Sequence, residues 1–276
     1  PRSLVIVSVS GDFFQFRSGE LSKVDIALSD LLTVADSWLV SNGQTRALDR
    51  HLQRFSRSIA DEKTQRQLPA FFASLVDATP TEGDWFPRIE YRGSQPEGER
   101  LFLRMRPAPE RTETCTLWTL DKPDPRTEFH TKGPDLSSCQ ALRRAANLHG
   151  ADEAVILSDT GKIADGALSS IVWWQDEVLC APDQSTNWLP SITRELVFEI
   201  AGQAGYETKE VSAAPEELAG CEVWSLSALQ GIRGVTSWGE IVLGELRMQR
   251  SFGKRLALLN QNLPSSDEVF EAFGAS

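Results

Sequence analysis

The chain is poor in the residues from which metal and disulfide sites are built. Its 276 residues include 4 cysteines, 3 histidines, 2 methionines and 2 tyrosines. Cys115, Cys139, Cys180 and Cys221 stand apart with no Cys-x-x-Cys pair, which fits neither a zinc site nor a disulfide framework, so a reducing cytoplasm is the expected setting. His51, His130 and His149 share no metal-ligand spacing, and no metal is expected. Positive charge is in deficit as well. The 28 Lys+Arg against 39 Asp+Glu leave a net charge of −11, which argues against nucleic acid or anionic lipid as partner, since both call for a basic surface. No apolar run approaches the roughly 20 residues that span a bilayer, and the stretch 4–9 is too short for a signal-peptide core, so no membrane association is expected and 4–9 reads as a first strand.

What is present is ordinary globular text, with 41% hydrophobic and 24% charged residues and length enough for two domains. Residues 4–40 are strand-like, with an aromatic run at Phe13, Phe14 and Phe16. Leu48, Leu52 and Phe55, then Leu68, Phe71, Phe72 and Leu75, recur at helical spacing and predict two amphipathic helices. Strands are predicted at 86–91 and 101–105 around a polar hairpin loop, and again at 114–120. The segment 121–131, with Pro123 and Pro125, reads as a solvated interdomain linker between an N-terminal α+β domain (1–120) and a C-terminal domain (132–276). Beyond it a helix at 136–149 ends at Gly150. Strands follow at 154–157, 169–174, 178–180 and 223–226, with a helix at 193–204 and helical text over 246–273.

Three segments carry chemistry. Lys132 sits in Thr131-Lys132-Gly133-Pro134-Asp135, where a lysine of lowered pKa is capable of Schiff-base formation, although a solvated loop lysine has the same sequence signature. Leu189-Pro190-Ser191-Ile192-Thr193-Arg194 opens a helix, and its free N–H groups suit a phosphate as well as they suit simple capping. His51 and Arg54, in His51-Leu52-Gln53-Arg54-Phe55, share a helix flank, and arginine is a natural phosphate ligand or a salt-bridge partner.

Taken in order over residues 33–238, these segments resemble class IV aminotransferases, the fold-type IV pyridoxal-phosphate enzymes. His51-Leu52-Gln53-Arg54-Phe55 is similar to the family's His-x-x-Arg-Leu/Phe helix, and implies that Arg54 binds the cofactor phosphate. Thr131 to Asp135 resembles Lys-x-x-Asn, with Lys132 as the catalytic lysine of the internal aldimine and Asp135 where Asn is usual. Gly150-Ala151-Asp152-Glu153-Ala154 and Asp165-Gly166-Ala167-Leu168-Ser169-Ser170 resemble Gly-Ala-Asp-Glu-Ala and Glu-Gly-x-x-x-Asn, which implies that Asp165 pairs with the pyridine nitrogen. Leu189 to Arg194 is similar to Leu-x-Gly-Ile-Thr-Arg and implies phosphate contacts from Ser191, Ile192 and Thr193. Ser227-Ala228-Leu229-Gln230-Gly231-Ile232-Arg233 looks most like the 4-amino-4-deoxychorismate lyase branch, and implies cofactor contacts from Ser227 and Ala228.

The resemblance implies an α/β fold of the D-amino-acid aminotransferase type, with a barrel-like C-terminal sheet. It also implies a pyridoxal 5'-phosphate cofactor in a cleft between domains, an amino or keto acid substrate, and a homodimer. His51, Trp38 and Arg92 are candidates on the substrate side, as are Arg88 and Arg104. Three readings stand open: an aminotransferase, a lyase releasing 4-aminobenzoate and pyruvate, and a non-catalytic binding relative. Departures from the family pattern are Asp30-Leu31-Leu32-Thr33 in place of Gly-Asp-Gly, Asp165 for Glu, Ser170 for Asn and Ser191 for Gly.

Overall fold

The structure, a computed structural model, describes residues 11–25 and 31–274; the strand expected at 4–9 lies outside them. The first half builds strands β1 (Asp12–Arg17), β2 (Glu20–Lys23), β3 (Val34–Ser37), β4 (Val40–Ser41) and β5 (Gln44–Arg46). Helices α1 (Leu48–Arg57) and α2 (Glu62–Ala78) follow, then β6 (Asp84–Trp85), β7 (Arg88–Tyr91), β8 (Leu101–Met105) and β9 (Thr114–Thr119). The second half adds α3 (Leu136–Leu148), β10 (Glu153–Leu157), β11 (Ile163–Gly166), β12 (Ser170–Gln175), β13 (Val178–Ala181), α4 (Ile192–Gln203), β14 (Glu207–Glu210), β15 (Glu222–Ser227) and β16 (Gly231–Trp238). It ends with α5 (Gln249–Ala257), β17 (Asn260–Asn262) and α6 (Ser266–Gly274).

Five strands in the order β2-β1-β8-β7-β3 form an antiparallel sheet. Alternation along the strands sends Phe16, Val34, Ile89, Leu101 and Leu103 to one face, where Leu52 and Phe55 of α1 and Leu68, Phe71 and Phe72 of α2 bury them. Phe55 and Phe72 meet edge to face with centroids 6.2 Å apart. The helical spacing of these side chains is therefore a core-facing stripe, as the periodicity predicts.

Eight strands in the order β11-β10-β9-β16-β15-β12-β13-β14 make the second, mixed sheet. Along β12, Val172 and Trp174 join Trp224 and Leu226 beneath α4 and α5, while Ile171 and Trp173 point to an interior shared with Cys115, Val155, Leu218 and Val235. Phe252 of α5 lies 5.3 Å from both the Trp174 and Trp224 rings, each contact contributing about 0.5–1.5 kcal/mol beyond the area it buries. Trp173 and Trp174 thus pack on opposite faces of one strand.

Some expectations change. β9, inside the span 1–120, hydrogen-bonds between β10 and β16 in the centre of the second sheet. The text over 246–273 is two helices broken by β17, which pairs with β5, and α6 returns to pack on α2, with the Phe72 and Phe273 rings 5.0 Å apart. Strands β11 and β16 were not anticipated. Helix α3 and the turn at Gly150, with φ +74°, match the reading.

Candidate active site

The two halves meet at a cleft. Its floor is the loop 127–135, held down on β3 by a hydrogen bond from Ala35 N–H to the Lys132 carbonyl at 2.7 Å. That approach requires glycine next to the lysine. Gly133 has φ +138°, and a Cβ there would lie 2.8 Å from Val34 Cα and from Ala35 N. Asp135 anchors the other end of the loop, accepting from Thr127 N–H at 3.1 Å and Glu128 N–H at 2.8 Å. The Lys132 amine makes no hydrogen bond or ion pair with any described residue. Its pKa is pulled down, first by burial and then by the positive charge of Arg54, although Asp36 and Asp165 oppose this.

Across the cleft, α1 projects His51 and Arg54 toward β3, where Asp36 is fully buried. Arg54 donates from Nε to Asp36 Oδ2 at 2.7 Å, from Nη2 to Oδ1 at 2.8 Å, and from Nη1 to the Pro190 carbonyl at 2.7 Å. His51 Nδ1 lies 2.8 Å from Asp36 Oδ1. Burial works against charge on Asp36, yet Arg54 and His51 together hold its carboxyl well below the usual carboxylate range. Burial also lowers the His51 pKa, against the pull of Asp36. The bridge fixes the guanidinium plane and leaves two of arginine's five N–H groups for a ligand.

The third wall is the start of α4. Ser191 caps it, its Oγ accepting from Arg194 N–H at 3.2 Å. The N–H groups of Ile192 and Thr193 find no acceptor among the described residues, which leaves donors and the positive helix end facing the cavity. Ser227 and Ala228, where β15 ends, close the wall, and Ser227 Oγ accepts from Gln230 N–H.

The fourth wall carries Asp165 on β11. Its Oδ2 accepts from Arg126 Nη1 at 3.1 Å and from Leu189 N–H at 2.9 Å. Burial pushes its pKa up to about 6, although Arg126 opposes the rise. Glu153 steadies the turn beyond Asp165, accepting from Leu168 N–H and Ser169 Oγ.

One cavity is therefore lined by Lys132, Arg54, His51, Asp165, Ser191, Ile192, Thr193, Ser227 and Ala228. Of the residues read as substrate-side, His51 lines it, and Trp38, Arg88, Arg92 and Arg104 do not. Trp38 is a core side chain, 2% exposed, packed with its ring centroid 5.8 Å from that of His51. Arg92 is bonded through Nε and Nη2 to the buried Glu90, which also binds Arg88, on the first sheet. The segment 121–131 is not a solvated linker throughout. Arg126 is buried, its guanidinium donating to Asp124, Asp165 and the Asn187 carbonyl.

Asp36 and Arg126 are absent from the sequence reading. An acid inside the apolar run around Val34 and Trp38 is a signal for a buried partner; nothing in the text around Arg126 points inward.

A family model for class IV amino-transferases matches residues 33–238, three quarters of the chain and every wall of this cavity. The chain belongs to the class IV aminotransferase family. The branched-chain-amino-acid aminotransferase of Escherichia coli K12 is 28% identical over 131 residues, as is that of Salmonella typhimurium. The matched stretch covers 47% of this chain and 42% of those relatives, so it spans less than half of their length. Among solved structures, a hypothetical aminotransferase from Mycobacterium tuberculosis in its PLP-bound form superposes with TM-score 0.73 at 18% identity, covering 90% of this chain and 98% of that one. An aminotransferase from Brucella abortus bound to PLP gives 0.73 at 16%, covering 90% and 98%. The Escherichia coli branched-chain enzyme gives 0.72 at 18%, covering 91% and 94%. These likenesses establish the α/β fold of the class IV aminotransferases, with its barrel-like second sheet.

Proposed function

We propose that this class IV family member is a pyridoxal-phosphate-dependent aminotransferase that moves an amino group between a small amino acid and a keto acid, with Lys132 as its catalytic residue. The observation that carries the reading is the convergence on one cavity of an unpartnered amine, an oriented arginine, free N–H groups at a helix start and a buried acid. This donor set fits the cofactor. Arg54, the N–H groups of Ile192 and Thr193 and the Thr193 hydroxyl would hold its phosphate, with Ser191, Ser227 and Ala228 around it. Asp165 would hold the proton of its ring nitrogen, and Lys132 its aldehyde carbon. When bound, the group supplies an electron-accepting ring that stabilises the pair left on the substrate's Cα.

The rest falls to the chain. Burial and Arg54 favour the neutral Lys132 amine, which is the form able to take a proton from the substrate's Cα. Asp36 keeps Arg54 and His51 in place while this occurs, and the bond from Ala35 N–H to the Lys132 carbonyl keeps the lysine seated on β3. Asp165 is one methylene shorter than the family's usual glutamate, and Arg126 with the Leu189 N–H aims it into the cavity. Family membership supports a homodimer in which a second copy completes the substrate side.

The test is the half-reaction. The cofactor-loaded protein should lose its visible absorbance band and gain the near-ultraviolet band of the pyridoxamine form when an amino acid is added without a keto acid, and regain the first on adding a keto acid. Pyruvate release from aminodeoxychorismate with no such change would replace this reading with the lyase one.

A further inference from the structure

A second cavity, of about 490 Å³, lies on the far side of the α4 start and shares His51, Ile192, Thr193 and Ala228 with the first. Its charge is the reverse of the molecule's. The chain carries −11, yet four cations, Arg46, Arg111, Arg250 and Lys254, line this cavity against the single acid Glu113. Among the described residues, Arg46, Arg250 and Lys254 make no ion pair. Arg111 alone is neutralised, by Asp84 at 2.9 Å. Arg46 reaches only neutral acceptors, the Leu256 carbonyl and Asn260 Oδ1, both at 3.4 Å, the outer limit of a hydrogen bond. Burial, then repulsion by Arg111, weakens its hold on its proton, to a pKa of about 10. Arg250 and Lys254, four residues apart on α5, share the face that looks into the cavity.

Like charges gathered around a void cost free energy that an anion placed between them recovers. Guanidinium forks favour phosphate oxygens, whereas the carboxamides of Gln44, Gln230, Gln249 and Asn260 on the same walls are already bonded within the protein. We propose that this second cavity is a binding site for a small phosphorylated anion, a phosphomonoester or diphosphate, separate from the cavity of Lys132. The site is built from β5, α5 and the loop after β15, and owes nothing to Lys132 or Asp165. Its failure therefore leaves the proposed reaction standing.

The experiment is calorimetric titration of inorganic pyrophosphate, at low ionic strength, into protein already saturated with pyridoxal phosphate so that the first cavity is filled. The proposal expects saturable binding at one site per chain. Arg250→Gln/Lys254→Gln, on an exposed helix face, should weaken it roughly ten-fold or more, and adding Arg46→Gln should abolish it. The charge-matched control Lys63→Gln/Lys209→Gln should bind like the parent. No saturable binding, equal affinity in the cavity variants, or equal loss in the control would overturn the proposal. So would pyrophosphate binding only before pyridoxal phosphate is added.

Discussion

Removing the Asp36 carboxylate strands Arg54 and His51 in a buried place with no other acid bonded to either among the described residues. Breaking a buried pair from one side costs about 3–5 kcal/mol, so Asp36→Ala should lower stability by that order in denaturant titration, and Asp36→Asn, which keeps one acceptor oxygen, by less. Asp165 gives a prediction in pH. Its folded pKa, about 6, lies above the ordinary 3.8, so the folded state binds the extra proton between the two, and stability from this group is full below 3.8 and lost as pH rises through 6. In the cofactor-free protein, Asp165→Asn should abolish a loss of about 3 kcal/mol between pH 4 and 7; identical pH slopes in the two proteins would contradict the assignment. At this scale motif order singled out Lys132, Arg54, Asp165 and Ser191–Thr193, which the structure gathers around one cavity. Asp36 and Arg126 stayed hidden because their roles come from pairing across 18 and 39 positions, which no local pattern records. Trp38 and Arg92 do not line the Lys132 cavity of this chain, as position near a site in the sequence does not set which way a side chain turns.

Among the elements, the loop carrying Lys132 and strand β3 depend on each other through Gly133. Gly133→Ala sets a Cβ 2.8 Å from the β3 backbone at a φ of +138°, so it must push the loop away and break the bond from Ala35 N–H to the Lys132 carbonyl. The expected outcome is a loss of about 1–3 kcal/mol in stability and a weakened hold on pyridoxal phosphate in spectroscopic titration. Parent-like affinity would show that the lysine does not need this seat. Helices α1, α2, α3 and α4 were legible because a 3.6-residue apolar stripe is written locally. Strand β16 was not: its glycines at 231 and 234 and buried Arg233 break the alternation, and it forms because β9 and β15 offer edges on both sides. β17 interrupts helical text for a similar reason, since β5 supplies its partner.

Across the whole molecule, a helical layer on a five-stranded sheet and a second sheet of eight strands are joined so that the first contributes the α1 wall of the Lys132 cavity and the second, with its loops and α4, the other three. The family resemblance carried by motif order foretold this α/β plan. They did not foretell that β9 belongs to the second sheet or that α6 crosses back to α2, because such long-range pairing depends on which edges the finished halves leave open. The central claim, that the amine at 132 holds pyridoxal phosphate in this cavity, has a direct test. The loaded protein is reduced with borohydride, digested and mapped by mass spectrometry. The account predicts one phosphopyridoxyl group per chain, on Lys132, and none in Lys132→Ala. A label on another lysine, or an unlabelled protein, would contradict it.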